Sequence, residues 1–241
     1  MSRVLITGAS TGIGRATAIA LAQRGHAVIA TARRPETLAD LPVAGRLRLD
    51  VTDDDSVRSA IAEAAQLDAI VSNAGATIRG TVEAIPLDEY ERLLQLNFLG
   101  ALRVAKAVLP SFRERGHGRI VFVSSVLGRV AVPGVSAYAA SKFALDATAT
   151  ALAKETAHFG VHVSLIEPGP VATDGASKAA RYDSPPGYSQ GAETVNAIAA
   201  TGIIEAAEVA AAIADTLEDA DPPLHVPVGA TAQRLIDAAN S

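Results

Sequence analysis

The sequence predicts an α/β fold, a doubly wound parallel sheet of about seven strands with helices on both faces. Short apolar runs alternate with segments of helical spacing along almost the whole chain. Parallel strands need a crossover between them, and that crossover is usually a helix. A glycine-rich turn, Thr7-Gly8-Ala9-Ser10-Thr11-Gly12-Ile13-Gly14, joins the first apolar run to the first helical segment. The chain has 241 residues, 49% apolar and 20% charged, enough for a large core in one domain over residues 1–241.

Each element follows from its residues. Val4-Leu5-Ile6 is a short apolar strand, and Ile13 to Gln23 has helical spacing that stops at Gly25. Ala27 to Thr31 and Leu47-Arg48-Leu49 read as the second and third strands. Thr52-Asp53-Asp54-Asp55 is a helix-start signal, and Leu67 to Ser72 is the fourth strand. Residues 88–115 read as one long helix, ended by Gly116-His117-Gly118. Arg119 to Ser124 is the fifth strand, Tyr138 to His158 a second long helix, and Val161 to Ile166 the sixth strand before Pro168-Gly169. A helix near 207–218 and a strand at His225–Val228 finish the body. Residues 174–205 break the rhythm with Gly, Ser, Ala and Pro, as a functional lid or a disordered segment would, and a substrate loop is expected there.

Composition narrows the function. A formal charge of −5 offers no broad basic field to nucleic acid. With no cysteine, thiolate metal sites and cysteine nucleophiles are excluded. Uninterrupted apolar runs stay far below the roughly 18 residues that a membrane span needs. The first residues enter a strand at once without a signal-peptide pattern, so a cytoplasmic enzyme is expected. His26, His117, His158, His162 and His225 are scattered without metal spacing, so no metal is expected. Asp53-Asp54-Asp55 suits a helix dipole, and Glu155 and Glu167 read as surface or strand-end charges.

Two features carry chemistry. Placed between a strand and a helix, the glycine turn lets backbone approach a pyrophosphate that rests on the helix N-terminus, a Rossmann-type arrangement. A ligand-free turn is the alternative. Tyr138 and Lys142 lie four residues apart, on one helix face, with Ser125 thirteen residues upstream. A cation beside a phenol lowers its pKa, which suits proton exchange with an alcohol or carbonyl. Where the second strand ends, Thr31-Ala32-Arg33-Arg34 carries no carboxylate until Glu36. Arginine there suits a ribose 2′-phosphate, so NADP(H) is expected over NAD(H), with Arg33 and Arg34 as the phosphate ligands. Two solvated loop arginines are the alternative.

With these residues in place the chain resembles the short-chain dehydrogenase/reductase family, from Val4 to about Gly229. Five signatures fall in order: Thr7-Gly8-x3-Gly12-x-Gly14, Asn73-Ala74-Gly75, Asn97, Ser125 with Tyr138-x3-Lys142, and Pro168-Gly169-x3-Thr173. The resemblance implies that Tyr138 is the general acid/base and that Ser125 orients the substrate oxygen. It implies that Lys142 holds the nicotinamide ribose and that Asn97 anchors a water reaching Lys142. Ser10, Thr11, Ile13, Asp50, Val51, Asn73, Ala74, Gly75, Val171 and Thr173 join the cofactor site by the same likeness. Asn73 could instead tie central strands together, and Asn97 could serve a helix kink. Thr11 departs from the basic residue that some NADP-binding relatives carry there, which leaves NAD(H) open.

The implied reaction interconverts a ketone or aldehyde and an alcohol by hydride transfer. A nucleotide-sensing scaffold and a non-redox relative are the competing readings, and both would commonly lose the tyrosine, the lysine or the glycine loop. Val126, Leu127, Val130, Val132 and Val135 suggest an apolar wall for a lipophilic small-molecule substrate. Relatives pair through their two long helices, so a homodimer or homotetramer is expected.

Overall fold

Strands that are buried on both faces alternate their side chains between two cores, and this chain does so residue by residue. In β1 (Arg3–Ile6) Leu5 enters one apolar cluster while Val4 and Ile6 enter the other. The computed structural model describes residues 1–188 and 190–239. After β1 come α1 (Gly12–Gln23), β2 (Ala27–Ala32), β3 (Gly45–Arg48), α2 (Asp54–Ala64), β4 (Ala69–Ser72) and β5 (Ile78–Arg79). Next are α3 (Leu87–Leu93), α4 (Gly100–Arg115), β6 (Gly118–Val123), α5 (Ser136–Thr156), β7 (Val161–Pro168), β8 (Val171–Ala172) and α6 (Asp174–Ser177). The chain continues through β9 (Ala180–Arg181), α7 (Gln190–Ala200), β10 (Ile204–Glu205), α8 (Ala206–Glu218), β11 (His225–Val228) and α9 (Ala230–Ala239).

Seven strands form one parallel sheet in the order β11-β7-β6-β4-β1-β2-β3. The order reverses between β1 and β4. In doubly wound sheets a ligand crevice opens at the carboxyl ends of the strands at this switch. One core lies under α2, α4 and α5, with Val57, Val104, Phe112 and Leu145 against Ile70, Ile120 and Phe122. The other lies under α1 and α8, with Leu21, Val209 and Ile213 against Val71, Val121 and Val123. Asp53 caps α2 by accepting from the Asp55 and Ser56 amides at 2.9 and 3.0 Å, as its place in the acidic run predicts.

Several elements differ from expectation. The third strand is Gly45–Arg48, two residues earlier than read, because its register with β2 pairs Ile29 with Gly45 and Ala32 with Arg48. Residues 88–115 are not one α-helix: a π-helical turn over Leu94–Leu99 separates α3 from α4 and carries Asn97. The helical stretch Leu87–Arg115 is long and apolar enough by length and composition to cross a membrane, but here Val104, Ala105, Val108 and Phe112 pack one face of it into the core. Residues 174–205, apart from Ser189, which lies outside the described residues, are more regular than a loop. They hold α6, β9, α7 and β10, since the alanine-rich stretch around 192–200 favours helix. Helix α9 was not expected either; Ala232 and Ile236 give it one narrow apolar stripe against Val126.

Candidate active site

The turn after β1 is built by close approach. A Cβ on Gly14 would lie 2.4 Å from both the Asn73 Nδ2 and the Gly8 carbonyl oxygen. Gly8 has φ +67, and its missing side chain makes room for the backbone of Ala74. Asn73 is the strap across this junction. Its Nδ2 donates to the carbonyls of Thr7 and Gly8 at 2.9 and 3.1 Å, while its own amide donates to Thr7 Oγ1 at 2.9 Å. The strand-tying alternative therefore describes Asn73 in this structure. Above the turn, α1 starts with Thr11 in extended conformation, with no side-chain cap and no acid in its first turn. Its amides and dipole are thus available to an anion.

One cavity of about 720 Å³ opens at the switch point. Gly8, Ser10, Thr11, Gly12, Ile13, Arg33, Asp50, Val51, Asn73, Ala74 and Gly75 line it, with Ser125, Tyr138, Lys142, Pro168, Gly169, Val171 and Thr173. The expected residues thus converge, with three exceptions. Arg34 is exposed and lies off the cavity wall. Gly14 and Asn97 stand behind the wall. Arg33 is exposed on the rim, and among the described residues it makes no ion pair. Asp50 is held below the ordinary carboxylate range, first by the Thr52 amide and hydroxyl and then by the Arg33 and Arg48 charges. Val126, Leu127, Val132 and Val135 line the cavity as expected, but Val130 packs instead toward Ala232 and Ile236.

Helix α5 brings Tyr138 and Lys142 to this wall from one face. Their electrostatics correct the expectation. Burial pushes the Tyr138 phenol up to about 12, with the hydrogen-bonded Ser125 hydroxyl pulling only partly the other way. Burial also pulls Lys142 down to about 8. The ammonium donates to the Val123 carbonyl at 2.8 Å and sits 5.7 Å from the phenol ring centre, over its face. Desolvation therefore sets the direction of both shifts, and the neutral phenol is the stable form. Ser125 caps the turn after β6 by accepting from the Leu127 amide at 3.1 Å, which fixes its hydroxyl beside the phenol.

Asn97 is 1% exposed and fully engaged. It accepts from the Ala76 amide and donates to the Ala76 carbonyl and to Ser141 Oγ, each at 2.9 Å. The π-helical turn thus clamps the segment after β4 to the residue preceding Lys142.

Behind the cavity lies a group that sequence reasoning misread. Glu167 is completely buried rather than a strand-end surface charge. Its carboxylate meets His225 Nδ1 at 2.7 Å and Arg129 at 3.5 Å. Asp146, one helical turn beyond Lys142, joins them, and its pKa rises to about 6, first through burial and also through Glu167. Asp146, Glu167 and His225 offer ligand atoms within 4.8 Å of one another, a grouping that the scattered histidines, without metal spacing in the sequence, did not show. Strand pairing of β7 with β11 creates this proximity, and residue spacing along the chain does not show it.

A family model described as short chain dehydrogenase matches residues 2–183. An oxidoreductase of Botryotinia fuckeliana is 35% identical over 93% of this chain and 87% of its own length. For oxidoreductases of Escherichia coli and Bacillus subtilis the shared stretch is 66% and 63% of their length. The crystal structure of a short-chain dehydrogenase from Streptomyces avermitilis superposes with a TM-score of 0.89 at 35% identity, covering 98% of this chain and 92% of that one. A short chain dehydrogenase from Burkholderia cenocepacia in complex with NADP gives 0.84 at 27% identity, covering 100% and 93%.

Proposed function

The chain belongs to the short-chain dehydrogenase/reductase family, and from that premise we propose that it is an NADP(H)-dependent reductase of a ketone or aldehyde, reversible as an alcohol dehydrogenase. The observation that carries the reading is the convergence of Ser125, Tyr138 and Lys142 on the cavity that the glycine turn also lines. The uncapped α1 terminus and the close-packed glycines suit a pyrophosphate. Arg33, unpaired on the rim, suits a 2′-phosphate and supports NADP(H), with NAD(H) as the weaker cofactor.

The nicotinamide, when bound, supplies or accepts the hydride. In reduction, Tyr138 gives its proton to the substrate oxygen while the Ser125 hydroxyl donates to the same oxygen and fixes its position. A phenol whose pKa burial has raised keeps its proton at neutral pH and can enter the reduction as an acid. Lys142 would hold the ribose hydroxyls and, as a charged donor, stabilise the phenolate left after transfer. Asn97 acts through Ala76 and Ser141, as a positioning residue for both the cofactor floor and α5.

The apolar wall of Val126, Leu127, Val132 and Val135 supports a lipophilic carbonyl substrate. Phe143, 40% exposed on α5, supports a homodimer or homotetramer built on the long helices. A cytoplasmic location belongs to the same proposal. The test is a panel of ketones and alcohols followed by NADPH and NADH absorbance in parallel. NADPH-dependent turnover of ketones is expected; turnover with neither cofactor across the panel would overturn the reading.

A further inference from the structure

One wall of the cavity is unlike the rest. Beyond Gly75 the chain forms β5, and Arg79 at its end lines the same space as Ser125 and Tyr138. Strand β9 pairs with β5 in parallel, and its register sets Arg79 directly opposite Arg181. Like charges placed opposite one another across a strand pair are unfavourable. Among the described residues neither guanidinium makes an ion pair or a side-chain hydrogen bond.

Two acids of this region are already engaged. Glu89 takes Arg92 at 2.8 Å, and Glu83 takes the Tyr188 hydroxyl at 2.8 Å. Partial burial and the Arg181 charge both act on Arg79 in the same direction, downward, and no carboxylate offsets them. In a chain of net charge −5, this is a cation pair without its counter-ion, Arg79 on the cavity wall and Arg181 exposed beside it. The pair is also firmly placed relative to the chemistry. Ile78 and Tyr182, the neighbours of Arg79 and Arg181, pack in one cluster with Tyr138, and the Gly80 amide donates to the Gly134 carbonyl at 2.9 Å, just before α5.

We infer that Arg79 and Arg181 form a clasp for a carboxylate carried by the substrate, so that among ketones the enzyme prefers oxo acids to their neutral counterparts. Register partners in a parallel pair project from the same face of the ribbon, so Arg181 can join Arg79 at the cavity edge, each presenting paired N–H donors to a carboxylate whose charge removes their repulsion. The valine and leucine wall opposite would take the hydrocarbon portion. The substrate class is then amphiphilic: an apolar chain bearing a ketone between the phenol and the clasp. The inference rests on the carbonyl-reductase reading and deepens it.

The test compares a set of oxo fatty acids, with the ketone moved along the chain, against their methyl esters, using NADPH. For the best-placed ketone, kcat/KM should favour the acid over its ester by at least about tenfold, the worth of a charge-assisted bond of about 1.4 kcal/mol or more. In Arg79→Gln and in Arg181→Gln that ratio should fall to near one, chiefly through KM of the acid, and added salt should erode it in the wild type. Equal use of acid and ester by the wild type would overturn the clasp. A ratio that survives both substitutions, or an Arg79→Gln variant that weakens NADPH binding and leaves the ratio intact, would also overturn it. Calorimetric binding of octanoate against octanamide to the NADPH-loaded protein separates the two claims. Octanoate preference lost in Arg79→Gln supports the clasp even where no ketone turns over, which would count against the reductase reading alone.

Discussion

Replacing Lys142 by methionine should make the protein more stable while removing its activity. The side chain is 5% exposed, and its ammonium has one hydrogen bond, to the Val123 carbonyl at 2.8 Å. Burial lowers its pKa from 10.5 to about 8, so at pH 7 the fold holds a charge that the unfolded chain holds more easily. That gap corresponds to about 3 kcal/mol against folding. Methionine has a similar length and no charge; losing the bond to Val123 returns about 1–2 kcal/mol of the gain. A net stabilisation of about 1–2 kcal/mol remains, or roughly 2–8 °C in Tm for a chain of this size. The sign has a pH signature. Between about pH 8 and 10.5 the unfolded wild type binds the proton and the folded one does not, so wild-type stability rises through that window. The advantage of the variant should therefore shrink from pH 7 to pH 10 in urea titrations of the cofactor-free protein. A variant that melts below the wild type at pH 7, or an advantage that does not narrow with pH, would refute the reasoning.

Other expectations follow from the same geometry. Gly14→Ala places a Cβ 2.4 Å from Asn73 Nδ2 and the Gly8 carbonyl; it should cost about 1–3 kcal/mol in urea midpoint and weaken NADPH binding together. Asp146→Asn should stabilise by about 1–2 kcal/mol at pH 7. In the wild type this carboxyl keeps its proton on folding between its ordinary 3.8 and about 6, so stability falls as pH rises through that window, and the gain should vanish near pH 4. Arg33→Ala should raise KM for NADPH at least about tenfold, the worth of one charge-assisted contact, while NADH changes little; equal effects on both would place Arg33 outside the phosphate site.

The sheet and the catalytic helix were legible because their signals are local. Alternating apolar runs, the glycine turn and the four-residue step from Tyr138 to Lys142 each act over a few residues. Expectation failed where two distant segments decide the outcome. The direction of the Tyr138 shift depends on how deeply the fold buries the phenol, and a helical step shows only that a cation is near. Glu167 looks like a strand-end acid until β11 lays His225 beside it. Arg79 carries no signal of its own in the sequence, and only the pairing of β9 with β5 sets Arg181 opposite. The π-helical turn at Asn97 was hidden inside an uninterrupted helical pattern, since one extra residue in a turn leaves the apolar spacing nearly intact.

The central claim is that a partly buried, protonated phenol delivers H⁺ to a carbonyl oxygen beside the nicotinamide site. Tyr138→Phe removes one oxygen and keeps the ring that packs with Ile78 and Tyr182. Ketone reduction by this variant should fall by about 10²–10⁴ or more, the range for a lost general acid, while fluorescence titration still detects NADPH binding. Turnover near the wild-type rate in the variant would contradict the account.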